Sequence, residues 1–509
     1  MSQDKTSTST WHLSRWLGFL RRLSLTLDTG ALMSAGQRLF YSRWWLPLVL
    51  SLAAGLRLAG LGNDALWYDE MFSGQMARLP IAQLLQATAG DVHPPLWYLI
   101  EWLSVRLAGN SAAGLRLPSV VLGTYLIYEV YALIKHLAGN GPARASALVI
   151  SLLPAALNYA QEARMYSLLA VGVFACLRAV LSGKWVRAGL LAAVAMWTHN
   201  LAVLYMLPIG LIALWKSPRR ALEMAMLAII GYAPWGVVAL NQLRAVGSSY
   251  WPMPPTPGGL VEALMYDTLY IRLPGLLVLP GIIGGVVLTA GTLFVLRGNL
   301  KRLIPILLLI VLPPLALYGV SVTWRSIWVQ RTLLPSGILL ASLWGIAFTK
   351  LGGRDKLAAL ALAGPLFGVT LGSYYFWHNP NDYDWRPSVQ TIMERWQSCD
   401  VIYHINASSY MIMDEYAPGR NVLAPLTADL SQGLSDQTKD AMGMPRAPFG
   451  ELAKHYCRAW LIDARTPNFD PRQYAVSDGI RAAYPVLATY PTIRGKLAEL
   501  TIYLIDLRR

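Results

Sequence analysis

The chain has 509 residues, 55% of them hydrophobic and only 14% charged, with a formal net charge of +15. Soluble domains carry about 25% charged residues, so this composition excludes an ordinary soluble enzyme and reads as a polytopic membrane protein. The positive charge does not mark a nucleic-acid binder, because Lys and Arg are spread through short loops between apolar stretches.

Residues 1–43 mix Trp11, Leu13, Trp16 and Phe19 with Arg15, Arg21 and Arg22, the pattern of a basic amphipathic segment lying on the cytoplasmic leaflet. Polar and basic residues fill the first forty positions, so the first span, Trp44–Leu61, is expected to direct insertion uncleaved. Behind it comes a dense polar stretch, Trp67-Tyr68-Asp69-Glu70 and then Asp91-Val92-His93-Pro94-Pro95. Ionisable groups beside membrane helices need a reason, unless the loop is simply solvated.

The apolar segment from Pro94 to Ala108 is about 15 residues long and contains Glu101 and Arg106, too short and too polar to cross roughly 30 Å of hydrocarbon. If it lies at the interface, every later basic cluster (Lys135/His136, Lys184/Arg187, Lys216/Arg219/Arg220, Arg297/Lys301/Arg302, Lys350/Arg354/Lys356) falls on the inner side. Asp69, Asp91, His93, Arg116, Glu162, Arg164, His199, Asp267 and Arg331 then all fall outside. The charge bias predicts about eleven spans ending near Phe376 in a module of residues 44–376. Leu260–Leu269 predicts a surface helix in the long outer loop 241–273.

Residues 377–509 are more polar. Strand patterns at Val401–Ile405, Ala459–Asp463 and Leu500–Asp506, with helical patterns at Pro387–Trp396 and Ser408–Tyr416, predict an extracytoplasmic α/β domain. Cys399 and Cys457 could pair there if that side is oxidising, whereas Cys176 sits in an apolar run.

The order of these motifs, an acidic pair after the first span, Asp-x-His-Pro-Pro, Arg116-Leu-Pro, Gln161-Glu-Ala-Arg-Met-Tyr166 and an Arg before a late span, resembles the C-type glycosyltransferases. The resemblance is to the protein O-mannosyltransferase and aminoarabinose-transferase relatives of bacteria, over roughly residues 44–376. It implies a C-type fold in the inner membrane that moves a sugar from a polyprenyl-phosphate donor to an envelope glycan, lipid or protein at the outer, periplasmic face. It implies Asp69 as general base with Glu70 beside it. Arg116, Arg164, Arg331 and Tyr166 become candidates for donor binding, interfacial snorkelling being the ordinary alternative for each arginine. Asp91, His93 and Glu162 offer oxygen and imidazole ligands suited to Mg, Mn or Zn, although His93 could equally cap the turn before Pro94. A transporter or flippase of a lipid-linked sugar is the competing class. It would call for internal repeats and midplane charges, and the sequence has neither.

The orientation is testable by thiol labelling. Asn63→Cys should react with an impermeant reagent from outside, and Ser217→Cys only after permeabilisation; the opposite pattern would undo the eleven-span reading.

Overall fold

The computed structural model describes residues 36–248, 250, 252–269, 275–377, 384–425, 434–465, 471–494 and 499–508. The basic amphipathic segment expected near the N-terminus falls largely outside these residues.

The first span is α1 (Trp45–Leu58). Three short helices follow: α2 (Tyr68–Arg78), α3 (Ile81–Ala89) and α4 (Leu96–Ala108). At 13 residues α4 reaches only about 20 Å, and the face it turns inward carries Glu101 and Ser104. That is a helix packed at the bundle's end, in keeping with the reading of Pro94–Ala108.

The bundle continues with α5 (Ala112–Ala138), α6 (Asn140–Ser151), α7 (Pro154–Asn158), α8 (Tyr166–Leu181), α9 (Trp185–Thr198), α10 (Val203–Lys216) and α11 (Pro218–Ser248). Then come α12 (Gly259–Leu269), α13 (Gly275–Leu296), α14 (Leu300–Thr323), α15 (Leu334–Lys350) and α16 (Gly353–Gly372). Among the described residues, the stretches 112–138, 218–247, 275–323, 330–350 and 353–376 are long and apolar enough to cross a membrane. Shorter apolar helices stand at Trp45–Leu58, Tyr166–Leu181, Trp185–Thr198 and Asn200–Lys216. The expected span at Leu148–Asn158 is instead α6 broken from α7 at Leu152–Leu153, because Pro154 cannot donate the bond that would continue the helix.

The helix read as lying on the surface, α12, is packed into the bundle. Its Ala263, Met265, Asp267 and Leu269 are buried, and it approaches α15 so closely that a Cβ on Gly337 would lie 2.3 Å from the Asp267 carbonyl oxygen. Glycine is required at that crossing. Its Met265 and Leu269 side chains lie against Gly285 of α13, while Val261 stays exposed.

The C-terminal region contains α17 (Arg386–Glu394), α18 (Ala407–Tyr416), α19 (Asp436–Ala441) and α20 (Pro471–Ala483) around a five-stranded sheet. Its strands are β1 (Asp400–His404), β2 (Asn421–Leu423), β3 (Arg458–Arg465), β4 (Val486–Arg494) and β5 (Glu499–Asp506), in the order β2-β1-β3-β5-β4. β1 is parallel to both β2 and β3, and β5 returns antiparallel. Cys399 and Cys457 form a disulfide where β1 and β3 begin, with Cα atoms 5.4 Å apart. This domain is fused to the bundle rather than tethered. Leu66, Met71, Leu115 and Ala163 share one apolar core with Ile402, Met413 and Trp460. Gln75 donates to the Met411 carbonyl at 2.9 Å, and Thr438 Oγ1 to the Ala87 carbonyl at 2.9 Å.

His404 is buried between Ser409 Oγ (3.0 Å) and Asn421 Oδ1 (2.9 Å), and burial pushes its imidazole down to about 3 from 6.5. The unfolded chain then holds the extra proton between those two values. The contribution of His404 to stability is complete above the unfolded value and is lost as pH falls, by up to about 1.4 kcal/mol per unit. Protection factors of the sheet amides in the intact protein, corrected for the intrinsic exchange rate, should therefore fall between neutral pH and about pH 5, and His404→Gln should flatten that dependence. Equal protection at both pH values would rule this out.

Candidate active site

The acidic pair lies in the first turn of α2, where the helix dipole favours carboxylates. Successive helical residues point about 100° apart, and the two acids take different partners. Glu70 turns inward. Its Oε1 accepts from Arg116 Nε at 2.7 Å and from the Ala163 backbone N–H at 2.9 Å, and its Oε2 accepts from Arg116 Nη2 at 2.7 Å. Oε2 also accepts from the Trp67 backbone N–H at 3.3 Å, closing the start of α2. Arg116 uses its remaining donors on the carbonyls of Leu61 (2.8 Å), Asp64 (3.1 Å) and Ala65 (3.2 Å). This corrects the expectation for Arg116. Its guanidinium is engaged in tying the loop before α2 to α5, with no donor left over for a phosphate.

Asp69 is the more open of the two, 14% exposed against 1% for Glu70. Its Oδ2 lies 2.7 Å from Arg331 Nη2 and 3.8 Å from Arg164 Nε, close charge pairs without hydrogen-bond alignment. Arg331 sits in the turn before α15 and is flanked by the rings of Trp67 (5.2 Å) and Tyr166 (5.6 Å). Arg164 is buried, and its Nη1 reaches the Asp69 carbonyl and Ser73 Oγ, both at 3.4 Å. Burial raises the Asp69 carboxyl, but Arg331, then Arg164 and His93, outweigh it and hold it below the usual carboxylate range. The Tyr166 hydroxyl is buried in the same place with no partner among the described residues. Asp69, Arg164, Arg331 and Tyr166 thus converge, from four stretches of sequence.

The strap 158–166 that delivers Arg164 is fixed along its length. Trp97 Nε1 donates to the Ala163 carbonyl (3.3 Å), Ser119 Oγ to the Arg164 carbonyl (3.3 Å) and Gln161 Nε2 to the Arg57 and Ala59 carbonyls (2.9 Å each).

Asp91 and His93 form their own pair, Nδ1 to Oδ2 at 3.0 Å, and the Tyr98 hydroxyl donates to the same oxygen at 3.2 Å. Burial raises Asp91, and the adjoining imidazole more than offsets it, leaving the carboxyl lowered. Glu162 instead accepts from Asn158 Nδ2 at 2.6 Å. The ligand atoms of Asp91, His93 and Glu162 do not gather within 4.8 Å of one another. Asp91 Oδ2 is engaged by His93 and Tyr98, and Glu162 stands apart from that pair. Among the described residues such a group occurs only at Cys399, Asp400 and Cys457, whose sulfurs are bonded to each other rather than free as thiolates.

Sequence reasoning gave Asn200 a packing or hydrogen-bonding role and missed Gln242. Asn200 Nδ2 donates to the Val92 carbonyl and to Gln242 Oε1, both at 2.9 Å, and Gln242 Nε2 donates to the carbonyls of Thr88 (3.0 Å) and His93 (3.3 Å). Asn200 at an outer helix end was the available signal; Gln242, within the long α11, had none.

Residues 92–240 match the family described as dolichyl-phosphate-mannose-protein mannosyltransferase. No curated relative matches the sequence. In fold the chain is similar to ArnT from Cupriavidus metallidurans in the apo state, with a TM-score of 0.61 at 13% identity over 90% of this chain and 97% of that one. It is likewise similar to the same protein bound to undecaprenyl phosphate, with a TM-score of 0.58 at 15% identity over 92% of this chain and all of the other. The chain thus has the C-type glycosyltransferase fold: a helical membrane bundle with a small C-terminal sheet domain.

The two acids should behave differently on substitution. Glu70→Ala leaves Arg116 buried without a counter-charge and should cost about 3–5 kcal/mol, read as a lower unfolding temperature in detergent. Asp69→Asn, at a more open pair, should unfold near the wild type. Equal stability of the two variants would contradict the division of roles.

Proposed function

We propose that the protein transfers a sugar from a polyprenyl-phosphate donor to an envelope acceptor at the outer face of the membrane. The single observation that carries this reading is Asp69, a carboxylate whose Oδ2 lies 2.7 Å from Arg331 Nη2 and 3.8 Å from Arg164 Nε. Arginine forks are well shaped for phosphate oxygens, and a carboxylate is the usual base for a hydroxyl acceptor. Asp69 and the donor phosphate would compete for the same guanidiniums. The phosphate arrives, takes Arg331 and Arg164, and leaves Asp69 less restrained and more basic. The acceptor hydroxyl then gives its proton to Asp69 while its oxygen bonds to the anomeric carbon. The bond from that carbon to the phosphate oxygen breaks, and the electron pair leaves on the phosphate, which the arginines stabilise. One displacement inverts the anomeric centre. Tyr166, its hydroxyl buried beside Arg331, is placed to donate to the same phosphate. Glu70 acts through Arg116 as a positioning residue that fixes α2. The acceptor, whether glycan, lipid or protein, would approach from the side of the C-terminal domain that α2 and α3 support.

Transfer of labelled sugar from undecaprenyl-phosphate mannose or aminoarabinose in nanodiscs tests this. Asp69→Asn should lower turnover about 100- to 10,000-fold while keeping carrier binding. Because kcat/KM reports the empty enzyme and kcat the loaded one, the acid limb of kcat should lie at higher pH than that of kcat/KM. Arg331→Gln should raise the acid limb of kcat/KM and weaken binding of undecaprenyl phosphate. Near-normal transfer by Asp69→Asn would remove Asp69 from the mechanism.

A further inference from the structure

His199 is used by nothing above, yet it borders the site. It sits between α9 and α10, buried to 5% exposure. Its ring lies edge-on to His93 at 5.1 Å and 6.3 Å from the Tyr166 ring, which itself packs against Arg331. The turn is anchored on both sides. Asn200 accepts from the Tyr232 hydroxyl at 2.8 Å while its amide donates to the loop before α4 and to Gln242.

The Leu201 backbone N–H donates to His199 Nδ1 at 3.1 Å. An amide N–H can only donate, so Nδ1 presents its lone pair and the ring proton resides on Nε2. The backbone thereby sets the tautomer. It also narrows what the residue can do. With its proton on Nε2, His199 has no lone pair there to offer a metal or to accept a proton from an acceptor hydroxyl. What remains is an N–H, and among the described residues Nε2 has no hydrogen-bond partner. Nε2 is not among the fully buried atoms that lack a partner, so this N–H keeps an accessible side that a ligand oxygen can meet.

We infer that His199 is a donor-binding residue whose Nε2–H is held ready for an oxygen of the lipid-linked sugar. The inference rests on the proposed transfer reading. The oxygen belongs either to the phosphate or to a sugar hydroxyl, since both accept from a neutral imidazole.

Two substitutions separate this from a merely structural cap. In His199→Asn the side-chain oxygen can replace Nδ1 as acceptor for Leu201, but nothing reaches the position of Nε2. In His199→Gln the longer amide can place an N–H near Nε2. The expected result is that His199→Asn lowers kcat/KM for undecaprenyl-phosphate mannose or aminoarabinose by roughly 5- to 50-fold and His199→Gln by clearly less, with both variants unfolding near the wild-type temperature. Weaker binding of sugar-free undecaprenyl phosphate by His199→Asn assigns the oxygen to the phosphate; unchanged binding with impaired transfer assigns it to the sugar. Wild-type transfer by His199→Asn, or a larger loss in His199→Gln than in His199→Asn, overturns the inference. A wild type that transfers neither sugar sinks the transfer reading. If it also binds no undecaprenyl phosphate, this inference falls with it.

Discussion

The Glu70–Arg116 pair is the constraint on which the site depends. Glu70 is 1% exposed and accepts four hydrogen bonds, and Arg116 donates to three backbone carbonyls in addition to both carboxylate oxygens. Burying two charges is costly unless their geometry is good and their remaining donors and acceptors are satisfied. Here they are. In one stroke the pair fixes the end of the first span, the start of α2, the strap at Ala163 and the outer end of α5. Asp69, one residue away, is thereby left more open without having to support the fold.

That separation explains what could be read from sequence and what could not. The apolar stretches, the short helix after Pro94-Pro95 and the strands of the terminal domain follow from period and length, which survive in a single sequence. The order of motifs pointed to Asp69, Arg116 and Arg331 at one site; the structure puts Arg331 2.7 Å from Asp69 and Arg116 on Glu70. The fate of Arg116 was not legible. Whether an arginine near an outer helix end grips a ligand or staples carbonyls depends on which backbone oxygens lie within a few ångströms, and those belong to residues about 50 positions away. The local pairing of Asp91 with His93, two residues away, was likewise not legible from residue types alone. The packing of α12 turned on Gly337, a residue whose importance appears only when another helix crosses it.

Two other buried acids show how the bundle tolerates carboxyls it does not pair. Neither oxygen of Glu101 or of Asp267 has a hydrogen-bond partner among the described residues, and burial raises both groups well above the usual carboxylate range. A neutral carboxyl is far less costly to bury than a carboxylate. Glu101 also stands near Glu70, whose charge raises it further, and near Arg164, which opposes the rise.

Glu70 pairs with Arg116, and Asp69 faces Arg331 and Arg164. A donor phosphate would bring further negative charge to these arginines. Glu70 cannot release Arg116 without loosening α2, and Asp91 is held by His93 and Tyr98, so the adjustment falls on Asp69. Arg331 and Arg164 together hold the Asp69 carboxyl below its usual range. Losing either arginine to the phosphate would, on the proposed mechanism, make Asp69 more basic. On the proposed mechanism, the empty site would store its arginines on Asp69, and the substrate that needs the base would be the one that frees it.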